Sequence, residues 1–132
     1  MVQSLILETT FLIDLERESL RKSRGSAQDF LRAHSDDRLC VSFVTVGEMA
    51  AGVETGRRDV WEDFFRPFRV LPSSLDVASE YGRAYRHLAA NAQLIGGNDL
   101  WIAATALASG MPLVTRNLEH FRRIPSLNVV SY

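Results

Sequence analysis

Short apolar runs alternate along this chain with segments in which apolar residues recur every three or four positions, and this alternation constrains the fold more than any other feature. A short apolar run bounded by polar residues is typical of a strand buried on both faces, whereas the longer spacing is typical of an amphipathic helix. The runs predict five strands, at 5–7, 39–42, 69–71, 113–115 and 127–130. Strands that alternate with helices predict an α/β fold, with a central, mostly parallel sheet of short strands flanked by helices on both faces.

Helices are predicted between these strands. The first begins at Phe11. The others cover 26–34, 44–53 (ending near Gly52 or Gly56), 58–68, 76–94, 98–109 and 117–121. We expect Thr9 or Thr10 to cap the first helix and Asn98 to cap the helix that Gly110 ends. No repeat, low-complexity tract or linker is visible, so we expect residues 1–132 to form a single domain.

Composition narrows the class of protein. The 132 residues are 46% hydrophobic and 23% charged, which is enough apolar material for a buried core and excludes a disordered chain. The net charge of -1 gives no global positive field, so any contact with RNA or DNA must be local. The single cysteine, Cys40, has no partner for an intrachain disulfide, and no signal peptide or membrane span is visible. We therefore expect a reducing cytoplasm and no membrane.

Polar side chains follow the predicted strands where a parallel sheet binds ligands. Glu8 follows the first strand, Glu48 lies in the helix after the second, Asp99 begins the helix before the fourth, and Asn117 follows the fourth. Because the carboxyl ends of parallel strands share one edge of the sheet, these side chains can converge. Clustered carboxylates repel one another unless a cation neutralises them, and oxygen ligands select Mg²⁺ or Mn²⁺.

Each of these residues also has an ordinary structural interpretation. Glu8 and Asn117 suit turns, and Asp99 suits the first turn of a helix, where its charge would contribute about 0.3–1 kcal/mol. Glu48 is harder to explain this way, because a lone Glu among apolar helix residues needs a partner. The hypothesis of a metal site therefore depends on the whole set and its placement.

Four segments carry a family resemblance, at 5–14, 42–49, 95–106 and 113–121. In them the chain resembles the PIN-domain ribonucleases and, within these, the VapC toxins of bacterial and archaeal toxin-antitoxin pairs. The resemblance implies a PIN-like domain that hydrolyses RNA phosphodiester bonds with Mg²⁺ or Mn²⁺. It places Glu48, Asp99 and Asn117 at the acidic-site positions of the family. It also implies a homodimer and inhibition by a cognate VapB-like antitoxin.

Glu8 departs from the family, which has Asp after the first strand. The extra methylene moves the carboxylate by roughly 1.5 Å, about one carbon–carbon bond, which a near-octahedral Mg²⁺ shell would feel. Glu8 either keeps the ligand role, with Glu48 and Asp99 as the other metal ligands, or marks a catalytically weakened PIN-fold protein that acts by binding a partner or RNA. Metal-dependent RNA cleavage would distinguish these two functions.

Residues around the predicted site have supporting roles in this hypothesis. Thr10 and Thr115 are candidates to orient the carboxylates with their hydroxyl groups, and Arg116 is a candidate to contact an RNA phosphate. None of the three histidines is expected to act as a general base. A nucleotide-binding fold is disfavoured because no glycine-rich phosphate loop is complete. For the aromatic residues at 61, 64, 65 and 68, core packing is favoured over a partner surface.

Overall fold

The computed structural model describes residues 2–52 and 57–132, and its centre is one five-stranded sheet. The strands are β1 (Ser4–Leu7), β2 (Arg38–Ser42), β3 (Arg69–Leu71), β4 (Leu113–Val114) and β5 (Val129–Val130). Their order across the sheet is β3-β2-β1-β4-β5, and every one of the four pairings is parallel. The predicted α/β class is confirmed, and this sheet is parallel throughout.

Helices connect the strands. They are α1 (Thr9–Arg21), α2 (Ser26–Ala33), α3 (Phe43–Gly52), α4 (Arg58–Phe65), α5 (Leu75–Ala90), α6 (Gly97–Ser109) and α7 (Leu118–Phe121). The predicted end of the third helix at Val53 or near Gly56 lies outside the described residues. Across the two described ranges, no helix is both long and apolar enough to cross a membrane.

Two hydrophobic cores lie on opposite faces of the sheet, because successive strand side chains point to opposite sides. On one face, Ile6, Cys40 and Leu113 pack with side chains of α5, α6 and α7. On the other, Leu7 and Val41 pack with side chains of α1, α2, α3 and α4. The strands are buried on both sides, which explains why they are continuous apolar runs, and the prediction of helices on both faces is confirmed.

The predicted N-caps of two helices were wrong, whereas the predicted end at Gly110 is confirmed. The N-cap of α1 is Glu8, whose carboxylate accepts from the backbone N–H of Thr10, so Thr9 and Thr10 are already helical. The Glu8 side chain reaches forward from the cap position to the first turn of the helix. The N-cap of α6 is Gly96, which has no side chain with which to cap the helix, and Asn98 lies inside the helix. Gly110 does end α6, in the left-handed conformation at φ 64°.

Two helices are shorter than predicted. The α4 helix ends at Phe65 instead of Phe68, because Pro67 has no N–H to donate to the carbonyl one turn earlier. The α5 helix ends at Ala90 instead of Leu94. There the backbone of Ala92 turns to a positive φ of 54°, and the Asn91 side chain donates to the carbonyl of His87 at 2.7 Å.

The strand order creates a crevice at the centre of the sheet. From β1 the chain moves outward through β2 to β3, then crosses back to add β4 and β5 on the other side of β1. The direction reverses between β1 and β4, which is where open parallel sheets bind ligands beyond the carboxyl ends of their strands. Residues after β1 and β4, and residues in α3 after β2, therefore meet at one edge.

Candidate active site

Glu8 lies at the floor of this crevice. Its backbone N–H donates to the carbonyl of Val114 at 2.9 Å, which ties the end of β1 to the end of β4. The residue is buried, with only 2% of its surface exposed. A buried carboxylate is costly unless donors surround it, so the hydrogen bonds of Glu8 determine whether this position is stable.

Three donors surround the Glu8 carboxylate. Its Oε2 accepts from the backbone N–H of Thr10 at 2.9 Å. Its Oε1 accepts from the hydroxyls of Thr10, at 2.7 Å, and Thr115, at 2.5 Å. The Thr115 hydroxyl also accepts from the backbone N–H of Asn117 at 2.9 Å, which fixes the loop after β4. Both threonines predicted to orient the carboxylates thus lie in contact with Glu8.

Glu48 lies in α3 with a polar partner, as the sequence required. The Thr9 hydroxyl donates to its Oε1 at 2.8 Å. Thr9 belongs to a buried chain of hydroxyl groups, with Thr45 Oγ1 3.1 Å away and the Ser42 hydroxyl donating to that same oxygen at 3.1 Å. This chain joins the ends of β1 and β2 and leaves Glu48 Oε2 free of the Thr9 bond.

Asp99 lies half-buried in the first turn of α6 and experiences the charges of the other two acids. Burial raises the pKa of Asp99 above its ordinary value, and the negative charges of Glu8 and Glu48 raise that pKa further. Like charges have this effect only when they are close enough to repel. Glu8 and Glu48 thus act on the pKa of Asp99 in the same direction as burial, while the neighbouring His120 acts to lower it.

Asn117 reaches this site together with a histidine. Its side-chain Nδ2 lies 2.9 Å from His120 Nδ1, and the same ring nitrogen lies 3.9 Å from Asp99 Oδ2. The Asn117 contact is a hydrogen bond, whereas the Asp99 distance is too long for one. His120 therefore orients the Asn117 amide beside the Asp99 carboxylate.

Arg116 lies at the rim of the crevice. Its backbone N–H donates to the Thr10 hydroxyl at 3.2 Å. Its guanidinium extends to α1, where Nη1 lies 2.8 Å from Asp14 Oδ1. The side chain remains 56% exposed, so it can reach a ligand in solvent.

The donor set suits a hard divalent cation by its chemistry and charge. Three carboxylates and a carboxamide carry oxygens of the kind that such a cation prefers, and a cation would offset the charges of Glu8 and Glu48 that raise the pKa of Asp99. In their present side-chain positions, no three His, Cys, Asp or Glu residues of the described chain form a group that could hold a metal ion. Glu8 uses both of its oxygens on Thr10 and Thr115, so Glu48 and Asp99 are the acids with more freedom to turn toward an ion.

Several residues of the site escaped the sequence analysis. His120, Thr9 and Asp14 all contact candidate site residues, yet each falls at an unremarkable position of an amphipathic helix. The only signal for His120 was its place three residues after Asn117, one turn along a short helix. The partners of Thr9 and Asp14 lie in distant segments, so their roles follow from the topology.

Comparisons with known proteins agree with this fold. The family model described as PIN domain matches residues 5–127. Ribonuclease VapC2 of Haemophilus influenzae is 33% identical over 100 residues, 72% of this chain and 76% of that protein. Ribonuclease VapC10 of Mycobacterium tuberculosis is 36% identical over 98 residues, 73% of each chain. The structure of DNA-bound VapBC from Salmonella typhimurium matches with a TM-score of 0.85 and 25% identity, covering 99% of this chain and 98% of that one.

Proposed function

This chain belongs to the PIN domain family and is a ribonuclease of the VapC kind. We propose that it is the Mg²⁺- or Mn²⁺-dependent endoribonuclease toxin of a VapBC-type toxin-antitoxin pair. We treat residues 1–132 as one PIN-like domain, which the match over 5–127 supports. The observation that carries the proposal is the set of contacts at the carboxyl edge of the sheet, where Thr9 bonds Glu48, Thr115 bonds Glu8, and His120 lies 3.9 Å from Asp99. The relatives named as ribonucleases do not favour a purely binding role.

Glu8, Glu48 and Asp99 are the proposed ligands of the cation, with Asn117 beside them. When bound, the cation supplies Lewis acidity for hydrolysis of the phosphodiester. Glu48 is oriented by the Thr9 hydroxyl, so one of its oxygens is fixed while the other is available. Asp99 gains a favourable partner in the cation, since its charge is otherwise opposed by burial and by its acidic neighbours.

The threonines and Asn117 position the acids. Thr10 and Thr115 hold Glu8 from two sides, and the Thr115 hydroxyl also fixes the backbone of Asn117. These bonds connect β1, α1 and the loop after β4, so they fix the Glu8 carboxylate relative to the Asn117 backbone. Orientation by such neighbouring groups commonly contributes 10- to 100-fold to metal affinity or activity, about the effect expected of Thr115→Val.

We propose that a VapB-like antitoxin covers an apolar groove between α1, α3 and α4. The groove has a volume of about 570 Å³. Its lining includes Leu20, Met49, Trp61, Phe64 and Phe65. Phe65 is 5% exposed and belongs to the core, whereas Leu20 is 76% exposed. The predicted core packing of the aromatic residues is confirmed, since Trp61, Phe64 and Phe68 pack against the core that contains Phe65. The outer side of the groove still leaves a surface for a partner. The relative from Salmonella typhimurium is part of a VapBC assembly.

A second apolar surface supports the proposed homodimer. Phe43, Leu71, Val77 and Trp101 line a small cavity of about 180 Å³ near the carboxyl end of β3. Phe43 is 64% exposed, and Leu75, two residues before Val77, is 88% exposed. Large apolar side chains with this exposure are typical of surfaces that another chain covers.

We place the dimer and its antitoxin in the cytoplasm, where the free, buried thiol of Cys40 is stable.

Purified protein incubated with a generic single-stranded RNA tests the proposed activity. We expect cleavage with Mg²⁺ or Mn²⁺, none in EDTA, and none from a folded Asp99→Asn variant. Asp36→Asn is the matched control, because Asp36 is an exposed acid in the α2–β2 turn. Cleavage that persists in both EDTA and Asp99→Asn would overturn the metal-dependent mechanism.

A further inference from the structure

Arg116 connects the acidic site to the last residue of the chain through Asp14. Both oxygens of Asp14 lie close to Arg116 Nη1, Oδ1 at 2.8 Å and Oδ2 at 3.1 Å. The Tyr132 hydroxyl donates to Asp14 Oδ2 at 2.5 Å. Asp14 is mostly buried, with 16% of its side chain exposed, so this carboxylate is a fixed anchor for a guanidinium that is itself exposed.

The anchor is held by aromatic packing. The Tyr132 ring meets the buried Phe11 ring edge to face, with centroids 4.7 Å apart at 75°. Burial and the hydrogen bond to Asp14 raise the pKa of Tyr132, so its hydroxyl remains a donor at physiological pH. Asp14 is thus held by Tyr132 from the side of the core, in addition to its contact with Arg116.

The hydrogen bonds of Arg116 leave one edge of its guanidinium free. Only Nη1 is engaged, and within the described residues Nε and Nη2 donate to no protein group. The backbone of Arg116 is fixed by Thr10, the same residue that donates to Glu8. An arginine with two free donors in a planar fork matches the oxygens of a phosphate. Held in one place, the fork loses little freedom when it binds.

We propose that Arg116 binds a backbone phosphate of single-stranded RNA beside the acidic site, and that Asp14 and Tyr132 are positioning residues that hold its guanidinium there. This inference rests on the proposed ribonuclease function. It assigns the register of the RNA strand to a side chain at the rim, while the acids act on the bond to be cut. Asp14 lowers the net charge at the rim, so its contribution is to orientation and not to electrostatic attraction.

RNA binding in EDTA, without turnover, tests the role of Arg116. The probe is a short fluorescent single-stranded RNA, followed by anisotropy from about 50 to 200 mM salt. Each phosphate neutralised on a single strand contributes about 0.7 to the slope of log affinity against log salt. We expect Arg116→Ala to reduce the magnitude of that slope by at least about 0.7, the contribution of one phosphate, and Arg116→Lys to keep the wild-type slope. Arg24→Ala is the matched control, since Arg24 pairs with exposed Asp29 at 2.7 Å on another surface, and it should leave the slope unchanged.

Cleavage kinetics test the role of the anchor. We expect Asp14→Asn to leave KM unchanged or lower while kcat falls about 3- to 10-fold, because the guanidinium keeps its charge but loses its orientation. Tyr132→Phe keeps the packing on Phe11 and should lower kcat by about 2- to 10-fold, as expected for one hydrogen bond. A purely structural link would lower the melting temperature and leave kcat of the folded protein unchanged.

The two proposals fail in different ways. An unchanged salt slope in Arg116→Ala, or a wild-type kcat in Asp14→Asn, overturns this inference while the wild-type protein still cleaves RNA. A wild-type protein that binds RNA but never cleaves it counts against the proposed enzyme. If Arg116→Ala then reduces the salt dependence of RNA binding, the phosphate contact is still supported. A wild-type protein that neither binds nor cleaves RNA overturns both.

Discussion

Glu8 shows how one side chain serves the backbone and the site together. Its length lets one oxygen cap α1 at Thr10 while the other receives two hydroxyls, including that of Thr115. The sequence placed Glu8 at the strand end, and that prediction needed only the position of β1. It could not predict the bond to Thr115, because this partner is 107 residues away and becomes a neighbour only when β4 pairs with β1.

At this residue scale, we expect Glu8→Gln to destabilise the fold. The amide replaces one accepting oxygen with a donor, so a donor from Thr10 or Thr115 loses its partner in a buried place. The free energy of unfolding should fall by about 1–3 kcal/mol, measured by denaturant titration in EDTA. Glu16→Gln, on the exposed face of α1, is the control and should stay within about 0.5 kcal/mol of wild type. Equal stability of both variants would show that the bonds to Glu8 contribute nothing.

Replacement of Asp99 should have the opposite effect on stability, because it should stabilise the metal-free protein. Because burial and its acidic neighbours raise the pKa of Asp99, protonation of this group favours the folded state. Its contribution is favourable at low pH, and it is lost as the pH rises through the raised pKa. Asp99→Asn should therefore melt at a higher temperature than wild type at pH 7 in EDTA, and this advantage should shrink toward pH 4. A difference that does not change with pH would contradict the repulsion.

At the scale of elements, the sequence predicted the strands well and the helix ends less well. Strands buried on both faces are continuous apolar runs, so β1 and β2 were found to within one residue. Helix ends depend on local competition. Pro67 shortened α4, the left-handed Ala92 shortened α5, and Gly96 rather than Asn98 preceded α6. Apolar periodicity continues past such points, so it cannot show where a helix stops.

The groove beside α1 and α4 gives a prediction at the same scale. Leu20 is 76% exposed, so Leu20→Ser should change the free energy of unfolding by no more than about 0.5 kcal/mol. It should weaken binding of a co-expressed antitoxin, measured by calorimetry, because the partner loses an apolar contact in the groove. Leu94→Ser, 47% exposed in the α5–α6 connection, is the control and should bind as wild type does. Equal affinities for both variants would place the antitoxin on another surface.

At the scale of the whole molecule, the sheet order assembles the site from segments that are far apart along the chain. Thr9 reaches Glu48 only because β1 pairs with β2, and Thr115 reaches Glu8 only because β4 pairs with β1. The sequence predicted that Glu8, Glu48 and Asp99 can converge, because the carboxyl ends of parallel strands share one edge of the sheet. Which strands are adjacent is set by long-range packing, and so the contacts of His120 and Asp14 were not predictable.

We propose that the acids at this edge form a divalent cation site, and a titration of the melting temperature with Mg²⁺ tests for binding at that site. A cation that binds only the folded state stabilises it in proportion to the logarithm of its concentration above Kd. We expect Mg²⁺ to raise the melting temperature of the wild-type protein and to leave folded Asp99→Asn and Glu48→Gln unchanged. The cation site is contradicted if neither Mg²⁺ nor Mn²⁺ raises the melting temperature of the wild-type protein. It is also contradicted if the melting temperatures of the two variants rise as much as that of the wild-type protein.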